Sequence, residues 1–304
     1  MQKKTSKNDA PLASIVIPSY NYGEYLGAAI KSALGQGYKN IEIIVVDGGS
    51  DDNSVEIARK YPVKVLELGR CGLAKAIGAG VAASKGSYIL KLDSDDMLHP
   101  DFASKTVAAL EENPELGYAY TQLVGFGADS FFFESCAFSL KMLLKRPAYI
   151  PGSVLIRKIA YLEAGGYDLS LPFQEDWDFL LKLAERGRYG VLVPLPLLFY
   201  RQHFQSRGRR RAWGYTRMLW KLRRRHSALF ARHLGALDWL GVIASDIALF
   251  AYMLARDAFT ALRIWAPIRK GMVNVVAALQ PGYAYANEVP KDCEQLIKKM
   301  DAPK

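Results

Sequence analysis

Four short apolar runs in the first hundred residues end abruptly in polar loops, with helical segments between them. Ala13-Ser-Ile-Val-Ile-Pro18 is β-branched and stopped by proline. Ile41-Glu-Ile-Ile-Val-Val46 runs into Asp47-Gly-Gly-Ser-Asp-Asp52, Val63 to Glu67 is a third run, and Ser87 to Leu92 runs into Asp93-Ser-Asp95-Asp96. Apolar runs of this length bounded by turn formers read as buried strands. Between them, Glu24 to Leu34 carries Leu26, Ile30 and Leu34 at helical spacing and is closed by Gly35. Val55 to Lys60 is a second helix, capped by Asp52 or Ser54, and Gly72 to Ala83 is a small-residue helix suited to close packing on a sheet. Strand–helix alternation of this kind predicts an α/β fold, a Rossmann-like, mostly parallel sheet flanked by helices. The 304 residues, half of them hydrophobic, suffice for such a core.

In such sheets ligands sit beyond the carboxyl ends of the strands. Tyr20, Asp47 and the pair Asp93/Asp95 all fall just after strands, so three strand ends bring polar groups to one edge. The carboxylates after Leu92 cannot be buried without neutralisation. They suit a hard divalent cation, since Mg²⁺ uses one or two carboxylates plus substrate phosphates. The plainer alternative is a solvated acidic turn before a helix near Pro100, with Asp96 as its cap.

The second half continues the pattern. A helix ends at Glu111 to Pro114, and Gly117 to Val124 is a strand. Phe126 to Phe138 is aromatic and reads either as core or as an acceptor surface. Leu140 to Arg146 is a short helix and Pro151 to Ile156 a strand. Gln174 to Arg186 is a helix with Glu175, Asp176 and Asp178 in its first turn, where the macrodipole alone favours acidic residues. Val191 to Leu198 is the last strand, followed by Tyr200-Arg-Gln-His203.

Taken together, Ser14-Ile-Val-Ile-Pro-Ser-Tyr-Asn21, Val45-Val-Asp-Gly-Gly-Ser-Asp-Asp52 and Gly86-Ser-Tyr-Ile-Leu-Lys-Leu-Asp-Ser-Asp-Asp96 resemble, in order and spacing, the family-2 glycosyltransferases with the GT-A fold. Gly165-Gly-Tyr-Asp168 and Gln174-Glu-Asp-Trp-Asp-Phe-Leu-Leu-Lys182 resemble that family's later blocks, so the likeness covers about residues 12 to 205. The resemblance implies an inverting enzyme that moves a sugar from a nucleotide-diphosphate donor, a UDP-sugar being favoured, to a saccharide or lipid-linked acceptor in polysaccharide or glycolipid synthesis. It implies a divalent metal, Mg or Mn, held by Asp95 and His203, with Asp93 toward the ribose or a metal-bound water. Pro18, Tyr20, Asn21, Asp47 and Gly72 become nucleotide contacts. Asp176 becomes the base that takes the acceptor proton, and Glu175, Gly152 and Ser153 become sugar or acceptor contacts. The chain departs from the family where Ala76-Ile77-Gly78 replaces the usual Ala-Arg-Asn, and Lys75 stands as the substitute contact. There is no Gln-x-x-Arg-Trp run of the processive synthases, which favours single transfers. A sugar nucleotidyltransferase would need a basic glycine-rich loop after the first strand, which Ser19-Tyr-Asn-Tyr-Gly23 lacks. An inactive nucleotide-binding membrane scaffold is the non-enzymatic alternative.

The net charge of +10 is concentrated between Arg201 and Arg232, where Trp213, Tyr215 and Trp220 interleave with arginines. No nucleic-acid-binding motif accompanies it, so the expected partner is an anionic membrane surface, each basic residue contributing about 1 kcal/mol. Leu234 to Ala255 is long enough to span a bilayer, but a central Asp246 costs about 2.5–3.5 kcal/mol there. Two interfacial helices, Leu234 to Ala255 and Ala258 to Leu279, are expected instead, with packing on the domain or homodimerisation as alternatives. The expected division is a flexible stretch 1–11, the catalytic domain 12–205, a helical extension 206–286 and a frayed polar tail 287–304. Cys71, Cys136 and Cys293 show no disulfide or metal spacing, and Met1 to Asp9 carries no apolar signal region. Both point to the cytoplasm, at the membrane's cytoplasmic face.

Overall fold

The computed structural model describes residues 10–147, 149–203, 212–261, 284–286 and 289–301. Strands β1 (Ala13–Ser19), β2 (Ile41–Asp47), β3 (Lys64–Glu67) and β4 (Tyr88–Lys91) alternate with helices α1 (Gly23–Leu34), α2 (Ser54–Ala58) and α3 (Leu73–Ala83). These four strands are parallel in the order β3-β2-β1-β4. Pro18 lies inside β1 and is tolerated because the β1–β4 register ends at Val16 opposite Lys91, before its missing N–H is needed.

The remainder makes the sheet mixed. It comprises β5 (Met97–Leu98), α4 (Phe102–Glu111), β6 (Tyr118–Gly127), β7 (Phe131–Glu134), α5 (Leu140–Lys145), β8 (Leu155–Arg157) and α6 (Lys158–Glu163). There follow α7 (Glu175–Glu185), β9 (Gly190–Gln202), α8 (Ala212–Arg225), α9 (Ser227–His233), α10 (Ala236–Ala261), β10 (Ala284–Ala286) and α11 (Lys291–Asp301). Strand β8 lies antiparallel between β4 and β6, β7 and β10 extend that edge antiparallel, and β9 runs parallel to β6. The expected strand from Pro151 is shorter: only Leu155–Arg157 pairs, and residues 151–154 form a loop at the sheet's carboxyl edge. The aromatic stretch from Phe126 splits into the end of β6 and the hairpin strand β7.

Side-chain alternation along β1 feeds two cores. Ile15 and Ile17 pack with Leu26, Ile30 and Phe102 on one face. Val16 packs with Ile44, Val46 and Ile77 on the other. A Cβ on Gly80 would lie 2.3 Å from Val16 Cγ1, so α3 rests on the sheet at a distance only glycine permits.

Helices α8, α9 and α10 share this second core. Leu219, Leu222, Leu229, Phe230 and Val242 are buried in the same cluster as Trp177 of α7. Trp220 of α8 stacks on Trp239 of α10 at 6.4 Å. Arg223 of α8 pairs through both guanidinium ends with Asp246 at the middle of α10, a buried ion pair. Lys141 and Lys145 reach Asp238 near the start of α10 at 3.2 and 2.6 Å. Of the expected second interfacial helix, residues 262–279 lie outside the described residues, as do Arg207, Arg209, Arg210 and Arg211.

Two local expectations are corrected. Helix α2 starts after Asn53 without a side-chain cap; Asp52 instead accepts from Ser54 and, at 2.9 Å, from Gly23 N at the start of α1. The tail is not frayed over Lys291–Asp301: Cys293 and Ile297 are buried against Met97, Val124 and Phe199. Arg201 of β9 holds its end through Asp301 at 2.5 and 2.9 Å.

Candidate active site

One cavity of about 920 Å³ opens at the carboxyl edge of the parallel strands. Pro18 and Tyr20 at the end of β1, Gly72 before α3, and Asp93 and Asp95 after β4 line it. Gly152 and Ser153 of the 151–154 loop and Glu175 and Asp176 of α7 complete it. Nine of the thirteen residues singled out from the sequence therefore converge on one space. The topology explains the meeting: β1 and β4 are adjacent in the sheet, and β8 brings the 151–154 loop alongside them.

Four do not reach the wall. Asn21 has φ +57° and bridges two loops, donating from its N–H to Ser50 Oγ at 2.9 Å and accepting from Asp51 N at 2.8 Å. Asp47 is buried and spends both oxygens on its own turn, accepting from Gly49 N, Ser50 N and Ser50 Oγ at 2.9, 2.9 and 2.5 Å. That turn needs glycine at 49, where φ is +86° and a Cβ would lie 2.8 Å from Arg70 N. Lys75 is exposed on α3. His203 stands behind Asp95, with Nε2 2.9 Å from Asp95 Oδ2, and packs on the rings of Tyr22 and Tyr25 at 5.7 and 4.8 Å.

Carboxylates crowd the end of β4. Burial first, and then the neighbouring Asp93, raise the Asp95 carboxyl above the ordinary aspartate range. Asp96 is fully buried and raised further, by burial and then by Asp95 and Asp93. Asp96 does not cap α4; it accepts from Arg201 N at 2.9 Å and so joins the β4 end to β9. Arg201 also donates to the Asp95 carbonyl at 2.9 Å, fixing the loop from a second side. Among the described residues, no three His, Cys, Asp or Glu side chains form a closed metal cage. A charge-strained carboxylate pair at an open cavity nevertheless fits a hard cation that completes its shell with substrate oxygens.

Asp176 sits across the cavity on the first turn of α7 and is half-buried. Burial pushes its carboxyl up to about 6, and the Lys91 ammonium opposes that rise. Lys91 Nζ lies 3.0 and 3.1 Å from the two Asp176 oxygens and 3.4 Å from Asp93 Oδ1. Gly152 is needed beside this pair: a Cβ there would lie 2.9 Å from Asp176 Oδ2. Ser19 Oγ, Ser153 Oγ and Gln174 Oε1 are buried without a hydrogen-bond partner among the described residues, and all three residues line the cavity. Buried polar atoms normally have partners, so these orphaned atoms on the cavity wall are free to bond a polar ligand or water.

Two lining residues went unnoticed in the sequence. Lys91 had a visible signal, a lone cation inside the apolar run Tyr88-Ile-Leu-Lys-Leu92. Gln174 had none: its φ of +61°, which breaks the chain direction just before α7, is set by tertiary packing. Tyr215 of α8 and Tyr252 of α10 also line the cavity, next to Phe131, Phe133 and Phe173, so the C-terminal helices form part of the site. Asp178 faces away from it and is held by His226 and Arg225, each at 3.0 Å. Asp168 of the Gly-Gly-Tyr-Asp block pairs with Arg225 at 2.6 Å, tying that block to α8.

Residues 14–156 match the model for glycosyl transferase family 2, and residues 88–277 match that for glycosyl transferase family group 2. A Rickettsia typhi protein described as an uncharacterised glycosyltransferase is 35% identical over 190 residues, covering 57% of this chain and 58% of that protein. The hyaluronan synthase of Pasteurella multocida is 30% identical over 192 residues, covering 60% of this chain and 20% of the synthase. The chain thus spans less than two thirds of the length of these relatives. Among solved structures, S. aureus TarS 1-349 in complex with UDP-GlcNAc superposes with a TM-score of 0.61 at 14% identity, covering 88% of this chain and 80% of that 1-349 chain. The Pyrobaculum calidifontis mannosyltransferase PcManGT in complex with GDP-Man and Mn²⁺ gives 0.56 at 18% identity, covering 90% and 86%. These structural likenesses carry the GT-A fold, a mixed sheet with flanking helices. With both family models matched across the cavity-forming strands, the chain belongs to the family-2 glycosyltransferases.

Proposed function

We propose that this glycosyltransferase moves one sugar from a nucleotide-diphosphate sugar, a UDP-sugar being favoured, to a hydroxyl of a saccharide or lipid-linked acceptor, with inversion. The observation that carries the reading is a single cavity whose walls include the Asp93/Asp95 end of β4 and the Asp176 carboxylate of α7. In this reading Pro18, Tyr20 and Gly72 take the nucleoside, and Asp93 faces its ribose. Asn21 and Asp47 act indirectly, by holding the two loops that shape that end.

A divalent ion, Mg or Mn, would be held by Asp95, with His203 behind it, and completed by diphosphate oxygens. When bound it supplies charge neutralisation to the departing diphosphate. Glycosyltransfer enzymes that lean on such an ion need one carboxylate rather than a glycosidase pair. Asp176 takes the acceptor hydroxyl proton as that oxygen bonds to the sugar carbon and the carbon–phosphate-oxygen bond breaks. Glu175, Gly152 and Ser153 contact the sugar or the acceptor, and the orphaned Ser153 Oγ supports a hydrogen bond to a hydroxyl there. The aromatic wall of Phe131, Phe173, Tyr215 and Tyr252 suits the acceptor, since aromatic faces attract electropositive groups.

Residues Ala236–Ala255 are long and apolar enough to cross a membrane, with mean hydropathy 1.6. Arg223 neutralises Asp246, but Arg223 belongs to α8, which is packed on the catalytic core. We therefore favour α10 lying on the cytoplasmic leaflet rather than spanning it. Exposed Leu237, Leu240, Ile247 and Leu254 would enter the interface, and exposed Trp213, Arg217, Lys221 and Arg224 would meet anionic headgroups.

The donor assignment is tested by thermal stability against UDP, GDP, dTDP and CDP, each with and without Mn²⁺. Ligands that bind only the folded state raise its stability by mass action. The expected result is a metal-dependent rise with one nucleotide that Asp95→Ala abolishes. No rise with any nucleotide, on folded protein, refutes the donor site.

A further inference from the structure

Lys91 lies in β4 between Leu90 and Leu92, and only 1% of its surface is exposed. Its ammonium donates to both Asp176 oxygens at 3.0 and 3.1 Å and forms an ion pair with Asp93 Oδ1 at 3.4 Å. Burying an ammonium is costly, and well-packed apolar residues usually replace a buried ion pair at little loss, or with a gain, in stability. A strand that needed only to fill the core would be served better by leucine. The lysine also spans two ends of the cavity that nothing else joins so directly: Asp93 after β4 and Asp176 on α7.

We propose that Lys91 is the positioning residue for the base. It grips both oxygens of Asp176, seats the carboxylate against Gly152, and links it to Asp93 at the donor end. This rests on the reading of Asp176 as the base. Lys91 keeps its own protons throughout: the acceptor proton passes to an Asp176 oxygen, and the ammonium holds the carboxylate in line before that transfer. Besides Lys91, the titratable groups around Asp176 are Asp93 from the β4 end, Glu175 beside it on α7, and the buried Tyr167 hydroxyl. All three are acids, so Lys91 is the cation that keeps Asp176 ionised.

The experiment uses the full chain as Lys91→Met, Lys91→Arg and Lys91→Ala, with UDP-GlcNAc and GDP-mannose as donor probes and Mn²⁺ present. Lys91→Met is expected to leave the nucleotide-induced stability rise within twofold of wild type and donor KM little changed, while lowering kcat about 100-fold. Its acid limb moves to higher pH, because Asp176 loses its cation. Lys91→Arg restores part of kcat, and added ethylammonium restores Lys91→Ala. A kcat within threefold of wild type, or an unmoved acid limb, overturns the proposal. If neither donor turns over, or Lys91→Met does not fold, the Asp176 carboxyl carbon is followed by NMR in wild type and Lys91→Ala, with Asp176→Asn for assignment. Its titration must move to higher pH in Lys91→Ala and return on adding ethylammonium; an unchanged titration overturns the proposal. Absence of any nucleotide-induced rise in the wild type would instead defeat the donor-site reading, which this titration leaves untouched.

Discussion

Substituting Gly152 by alanine places one methyl group beside the Asp176 carboxylate, the proposed base. The new Cβ would stand 2.9 Å from Asp176 Oδ2 and 3.5 Å from Lys91 Nζ. Ordinary contact begins near 3.4 Å, so the carboxylate must retreat by about 0.5 Å. Lys91 cannot follow freely, because it is buried and also tied to Asp93. A misplacement of about 1 Å can lower a rate about 10²-fold, so about half that distance predicts a kcat about tenfold lower. Nucleotide binding is expected to be unchanged, since Pro18, Tyr20 and Gly72 belong to other loops. The assay is the initial rate of nucleoside-diphosphate release under saturating donor, alongside nucleotide-induced stabilisation of the same sample. A kcat equal to wild type, or a parallel loss of nucleotide binding, would refute the placement of Asp176 against Gly152.

Arg223→Met is expected to lower stability by about 3–5 kcal/mol, because it strands Asp246 inside the α8–α10 contact, and Arg223→Met with Asp246→Leu recovers most of the loss in urea unfolding. His226 is pulled down by burial, but Asp178 and Glu185, at 3.0 and 2.8 Å, outweigh it and hold it above its ordinary value. Its contribution to stability is therefore complete below the unfolded histidine pKa of about 6.5 and is lost as pH rises through the folded value. Unfolding of His226→Gln across that range is expected to show a flatter pH dependence than wild type. Gly80→Ala drives a methyl into Val16 and is expected to cost about 1–3 kcal/mol by overpacking, read from the urea midpoint.

The parallel half of the fold was legible because each of its strands is a short apolar run ended by turn chemistry, and the ends of β1 and β4 line the cavity. Asp176 was legible through its motif but not through physics alone, since acidic residues in a first helical turn are ordinary. Four things escaped. Lys91 is set in an apolar strand, and nothing local reveals that Asp176, 85 residues away, meets it. Asp47 looked like a ligand, yet its backbone turn absorbs both oxygens. Packing of the C-terminal helices on the domain stood only as an alternative, because Asp246 could be weighed only as a lone charge. Its partner Arg223 lies 23 residues away on another helix, and that pair binds α10 to α8. The docking of α11 through Arg201 and Asp301 depends on a contact across 100 residues, beyond any periodicity argument.

The central claim is displacement of the donor sugar by an acceptor hydroxyl deprotonated by Asp176. The most direct measurement is anomer-resolved NMR of the product formed by wild type and by Asp176→Asn, with nucleotide binding recorded on both. Wild type is expected to give a product of inverted configuration, and Asp176→Asn a rate lower by about 10²–10⁴-fold with nucleotide binding intact. A product of retained configuration, or an Asp176→Asn enzyme of near wild-type rate, would contradict it.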